Sequence, residues 1–90
     1  MKCTFTIARE SGLTRIFTVR IEATVEKPIS AVEAWYDDRG LERDEPQGSV
    51  TVFERVYRKD EGNHPGTHKL FITAESPDGS SESFTRVWKE

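Results

Sequence analysis

Between Leu13 and Val25 the chain alternates without interruption: Phe17, Val19, Ile21, Ala23 and Val25 fall on one side, Thr14, Ile16, Thr18, Arg20, Glu22 and Thr24 on the other. Only an extended strand has a side-chain period of two, so this stretch commits the chain to a β-sheet. A shorter alternation precedes it, with Cys3, Phe5 and Ile7 facing one way and Lys2, Thr4 and Thr6 the other. Ser11-Gly12 supplies a turn, and the two segments read as a hairpin.

Such a sheet must bury its apolar face. The chain has 90 residues, enough for one domain (1–90) and one small core, and its five Phe, two Tyr and two Trp supply the volume. Its apolar runs, such as Ala34-Trp35-Tyr36 and Leu70-Phe71-Ile72, do not exceed three residues, whereas a membrane span needs roughly 20 and a signal peptide about 7. No membrane partner is expected. Cys3 is the single cysteine, so the chain can form no internal disulfide and no thiolate metal cage. A small thiol on the apolar side of a strand suits a reducing, cytoplasmic setting.

Residues 30–41 change character. Ser30 and Glu33 have the spacing of a capping box, Ile29 stands at the staple position against Ala34, and Val32, Trp35 and Tyr36 fall on one face at helical spacing. These features predict a short helix with Trp35 as its central buried side chain, ended by Gly40, with Leu41 folding back on Tyr36. Asp37 and Asp38 would sit in its last turn, where the helix dipole disfavours them. Residues 42–48 read as a charged connection. Three strands follow. The first, Ser49 to Lys59, leaves its buried face undecided between Val50, Val52 and Val56 and the pair Phe53 and Tyr57. In the second, Thr67 to Ala74, Leu70, Ile72 and Ala74 oppose Lys69, Phe71 and Thr73. Glu82 to Lys89 sets Phe84, Arg86 and Trp88 against Ser83, Thr85 and Val87. Ser76-Pro77-Asp78-Gly79 has the residues of a hairpin turn. The order ββαβββ predicts an α+β domain: a mainly antiparallel sheet of about five strands with one short helix packed on it.

The opening hairpin, the helix ending in Asp37-Asp38-Arg39-Gly40-Leu41 and the strands after it resemble the first half of a ubiquitin-like β-grasp domain. The chain ends in Val87-Trp88-Lys89-Glu90 rather than the di-glycine tail of a conjugated modifier. Phe17 to Asp37 is also similar to the strand-then-helix opening of the helix-grip ligand-binding domains, which would place a small-ligand pocket among Phe17, Ile21, Trp35 and Tyr36. The second, long C-terminal helix of those folds has no counterpart here.

No catalytic or phosphate-binding motif is present. His64 and His68 are four residues apart, but Pro65-Gly66 between them breaks the helix that would bring both to one metal. No cofactor or metal is expected. The net charge of -3 argues against nucleic acid as the first partner. The densest charged stretch is acidic, Asp37, Asp38, Glu42, Asp44 and Glu45, and reads as a docking surface for a basic protein. One short helix, about 10 Å wide, cannot cover a sheet of about five strands, some 20–25 Å across, so aromatic surface is left for a partner. The expectation is a non-enzymatic protein-binding module, an adaptor or inhibitor of the kind phages and plasmids encode, forming a homodimer through a sheet face or an edge strand. Two alternatives accompany it. One is the small-ligand pocket. The other is single-stranded nucleic acid, held by Phe53, Tyr57, Phe71 and Trp88 with Arg55, Arg58 and Lys69.

Overall fold

The computed structural model describes residues 1–10, 14–60 and 65–90. Ser11-Gly12 and His64 therefore lie outside the described residues. Seven strands are present: β1 (Lys2–Glu10), β2 (Thr14–Glu22), β3 (Ala31–Tyr36), β4 (Arg39–Asp44), β5 (Val52–Asp60), β6 (Thr67–Glu75) and β7 (Ser81–Lys89). They form two antiparallel sheets, β1-β2-β5 and β4-β3-β6-β7. The predicted α+β fold is overturned: no helix occurs among the described residues, and the sheet is covered by a second sheet. Both partial likenesses, to β-grasp and to helix-grip domains, depended on that helix and fall with it. Lettered in order, the strands split as A-B-E and D-C-F-G.

The segment read as a helix is a β-hairpin. Val32, Ala34 and Tyr36 are buried and Glu33 and Trp35 point outward, a period of two over a run too short for periodicity to decide. Ser30 caps nothing; its hydroxyl bonds to the Glu75 carbonyl at 3.1 Å, and Glu33 pairs with Arg43 instead of a helix end. Asp37 and Asp38 form the connecting turn, with φ of 48° and 65°. Two successive left-handed residues make the turn whose twist suits a two-residue hairpin. Gly40, read as a helix cap, lies within β4, opposite Trp35.

The strands with clear alternation behave as expected. Phe17, Val19 and Ile21 of β2 and Leu70, Ile72 and Ala74 of β6 form the centre of the core with Ile29, Val32, Ala34, Tyr36, Phe53 and Tyr57. The undecided strand resolves to aromatics inward: Phe53 and Tyr57 are buried, while Val52 and Val56 are 43% and 48% exposed. The register against β2 is unbroken, so no bulge is involved. The Ser76 to Ser80 turn closes through Gly79 N–H to the Ser76 carbonyl at 3.0 Å, and Gly79 takes the left-handed conformation after Pro77-Asp78.

Two expectations follow. Tyr36→Ala, at a fully buried ring, should cost about 3–5 kcal/mol in chemical denaturation, and Trp35→Ala, at a half-buried one, about 1–2 kcal/mol. Asp38→Gly should raise stability by about 0.5–1 kcal/mol, since glycine takes φ of that sign without strain.

Candidate functional site

The outer side of the four-stranded sheet carries its most unusual surface. Cross-strand register places Gly40, Trp35, Phe71 and Thr85 in one row over β4, β3, β6 and β7. The Trp35 and Phe71 rings lie 5.5 Å apart at 41°. A side chain at Gly40 would meet the indole at 3.8 Å, so Trp35 lies against bare backbone. Aromatic cover over a strand glycine is partly structural, because it shields a weak point of the sheet. Phe71 and the 56% exposed Val87 extend the apolar area, and Thr73, Ser83 and Thr85 lie beside it on the same side.

Charges frame this patch, two cations among four carboxylates. Arg43 contacts Glu33, Glu45 at 2.9 Å and Glu75 at 2.9 Å, and Lys69 reaches Asp38 at 3.0 Å. An aromatic centre inside a polar rim is the usual composition of a protein contact surface.

The acidic residues read as one docking surface are each committed elsewhere. Asp37 accepts from His68 Nδ1 at 2.7 Å and from the Lys69 amide at 2.8 Å. Glu42 and Asp44 both pair with Arg55, Asp44 at 3.2 Å, and Asp44 also accepts from the Tyr57 hydroxyl at 3.4 Å. Glu45 pairs with Arg43. Asp37 and Asp38 do serve a local purpose, contrary to the helix reading, because they make the turn.

The aromatic and basic residues of the nucleic-acid alternative are not brought to one face. Phe53 and Tyr57 are core, Trp88 packs on the core from inside β7, and Arg55 bridges the sheets between β5 and β4. Arg58 lies on the outer side of the three-stranded sheet, and only Lys69 and Phe71 share the outer side of the other. The ligand-pocket set is similarly divided: Phe17, Ile21 and Tyr36 are fully buried in the core, with Trp35 on the opposite side of β3.

Polar groups buried at one end of the sandwich were not foreseen. Arg15, 1% exposed, grips Glu90 through both its Nε, at 3.0 Å, and a terminal nitrogen. His68, 6% exposed, lies among Tyr36, Trp88 and Asp37. An ionised carboxylate only accepts, so Nδ1 carries a proton and donates it to Asp37, with the Tyr36 hydroxyl oxygen 3.0 Å away. A ring so enclosed serves the fold. Among the described residues no group of three metal-ligating side chains forms, and none of their helices is long and apolar enough to cross a membrane. Burial pushes the Cys3 thiol up to about 11, which keeps it protonated and a poor nucleophile.

No protein-family model, curated protein or solved structure matches the chain.

Burial pushes the Asp37 carboxyl up, but the His68 and Lys69 hydrogen bonds and the charges of His68 and Arg39 outweigh it and hold it below the usual range. Its contribution is therefore present above the unfolded value of about 3.9 and lost as pH falls through the lower folded value. Asp37→Asn should cost about 1–2 kcal/mol at pH 7. Urea denaturation at stepped pH should show the gap from wild type closing below about pH 4.

Proposed function

We propose that the chain is a non-enzymatic protein-binding module whose contact surface is the outer side of the four-stranded sheet, centred on Trp35 and Phe71. The carrying observation is the Trp35–Phe71 ring pair standing outside a sandwich whose core is already filled by other residues. Tryptophan buries a large area on contact and dominates many interfaces, above all where the surrounding contacts exclude water. Of the acidic residues only Asp38 and Glu45 lie at the rim of this surface, paired with Lys69 and Arg43, and the partner is recognised through apolar and hydroxyl groups. Adaptor and inhibitor roles both fit such a surface. Cytoplasmic residence is part of the same reading, since the single thiol needs no oxidising compartment.

Nucleic acid is the less favoured partner, because Lys69, the cation beside Phe71, is already paired with Asp38. Affinity capture from the native host, followed by titration of the purified captured protein, tests the proposal. Trp35→Ala and Phe71→Ser should each weaken binding about 10–100-fold, whereas Glu45→Lys at the rim should change it less than about threefold. Titration with single-stranded oligonucleotides at low salt should leave tryptophan fluorescence unchanged. Undiminished binding by both aromatic variants, or salt-sensitive quenching by oligonucleotides, would overturn the reading.

A further inference from the structure

The two flanks of the sandwich are closed differently. Between β4 and β5, Arg55 spans the sheets to Glu42 and Asp44. Between β1 and β7, the Met1 amino group meets Glu82 at 2.9 Å, and Cys3, Phe5, Ile7, Phe84 and Trp88 stay half-buried. Edge strands offer unpaired amides and carbonyls, and natural sheets blunt them with short length, irregular register and charge. β4 is blunted in all three ways, with six residues, a register shift beside it and exposed Arg39, Glu42 and Arg43. β7 exposes charges too, Glu82, Arg86 and Lys89, but it has nine residues and an unbroken register.

The hydrogen-bond polarity of β7 follows from its end. Glu90 and Gly66 exchange both backbone bonds, at 2.8 and 3.0 Å. Bonding alternates along an antiparallel strand. Glu82, Phe84, Arg86 and Trp88 therefore direct their amides to β6, and Ser81, Ser83, Thr85, Val87 and Lys89 direct theirs to the open edge.

We propose that this edge pairs with β7 of a second copy of the chain, antiparallel about a two-fold axis through Thr85. Thr85 then faces Thr85 of the other copy, Ser83 faces Val87 and Ser81 faces Lys89, so the open donors and acceptors match. On the inner side, Phe84 lies opposite Arg86, and each Arg86 is diagonal to Glu82 of the other copy on one side and to its Arg86 on the other, so the two guanidiniums are tolerated only with both carboxylates in place. This charge match decides the choice. Arg86 is exposed and makes no hydrogen bond or ion pair among the described residues, and Glu82 of the second copy, half exposed and holding Met1 through one oxygen, has its other oxygen open to it. On β5 a similar symmetric pairing would draw on Glu54 and Arg55, which are already held by Arg20 and by Glu42 and Asp44. The product joins the two four-stranded sheets edge to edge through a self-complementary contact. It does not depend on the role of Trp35 and Phe71.

Sedimentation equilibrium of the full chain tests this, with circular dichroism to confirm folding. The wild type should show twice the chain mass. Thr85→Pro removes an N–H that points away from β6, so the hairpin keeps its bonds while the dimer is lost. Arg86→Glu should weaken the dimer by about tenfold or more, and the swapped pair Glu82→Arg with Arg86→Glu should restore most of that. Should Thr85→Pro fail to fold, Thr85→Lys, which sets two ammonium groups on the axis, decides instead. A wild-type monomer at about 100 µM, well above the micromolar dissociation constant of a modest complex, overturns the proposal. A dimer indifferent to the folded Thr85 variant does so too, and its loss in Trp35→Ala would assign the contact to the outer face.

Discussion

The contact on which the sandwich depends is the meeting of Phe17 on β2 with Tyr36 on β3, ring centroids 5.0 Å apart, with Trp88 closing over both at 5.8 and 6.0 Å. Burying three aromatic rings between two sheets drives their association, since each removes a large apolar area from water. It also carries an obligation, because the Tyr36 hydroxyl enters the interior with the ring and a buried polar group left unpaired is costly. His68 lies beside it, and Asp37 in turn holds His68. Asp37 can reach inward because it occupies the turn immediately after Tyr36. The left-handed backbone at that turn is thus tied to the packing of the core by a chain of adjacent groups.

Arg15 repeats the principle at the same end. A guanidinium so deeply buried is tolerable only when a carboxylate faces it, and Glu90 takes two of its nitrogens. The Trp88 indole N–H donates to the same carboxylate at 3.0 Å. One end of the sandwich is therefore closed by hydrogen-bonded polar groups stacked against rings, while the interior beyond it is apolar.

The sequence was legible where a strand was long. β2, β6 and β7 show their inward and outward sides directly, and the outward placing of Phe71, Thr85 and Val87 follows from that alternation alone. β3 was not legible, because Ala31, Glu33 and Ala34 favour helix locally and six residues cannot separate the two periods; its pairing with β6 overrode local preference. The error turned Trp35 inward and left its neighbour across the strand, Gly40, as a helix end. The Asp37-Asp38 turn was hidden because such turns usually carry asparagine or glycine. Arg15 and His68 gave no local sign of burial, since their partners, Glu90 and Asp37, are remote in sequence.

The unequal closure of the two flanks has a mechanical consequence. Arg55 and its two carboxylates act as a spine, and the cation also lies over the Tyr57 ring at 5.2 Å. The opposite flank is fastened at both ends of β7, by Met1 on Glu82 and by Arg15 on Glu90, and rests between them on half-buried apolar contacts. Between those two fastenings only apolar contacts hold the sheets together, so local opening costs least there. Cys3, Phe5 and Phe84 line that stretch, so water reaches the thiol there at a shallower depth than the fully buried core.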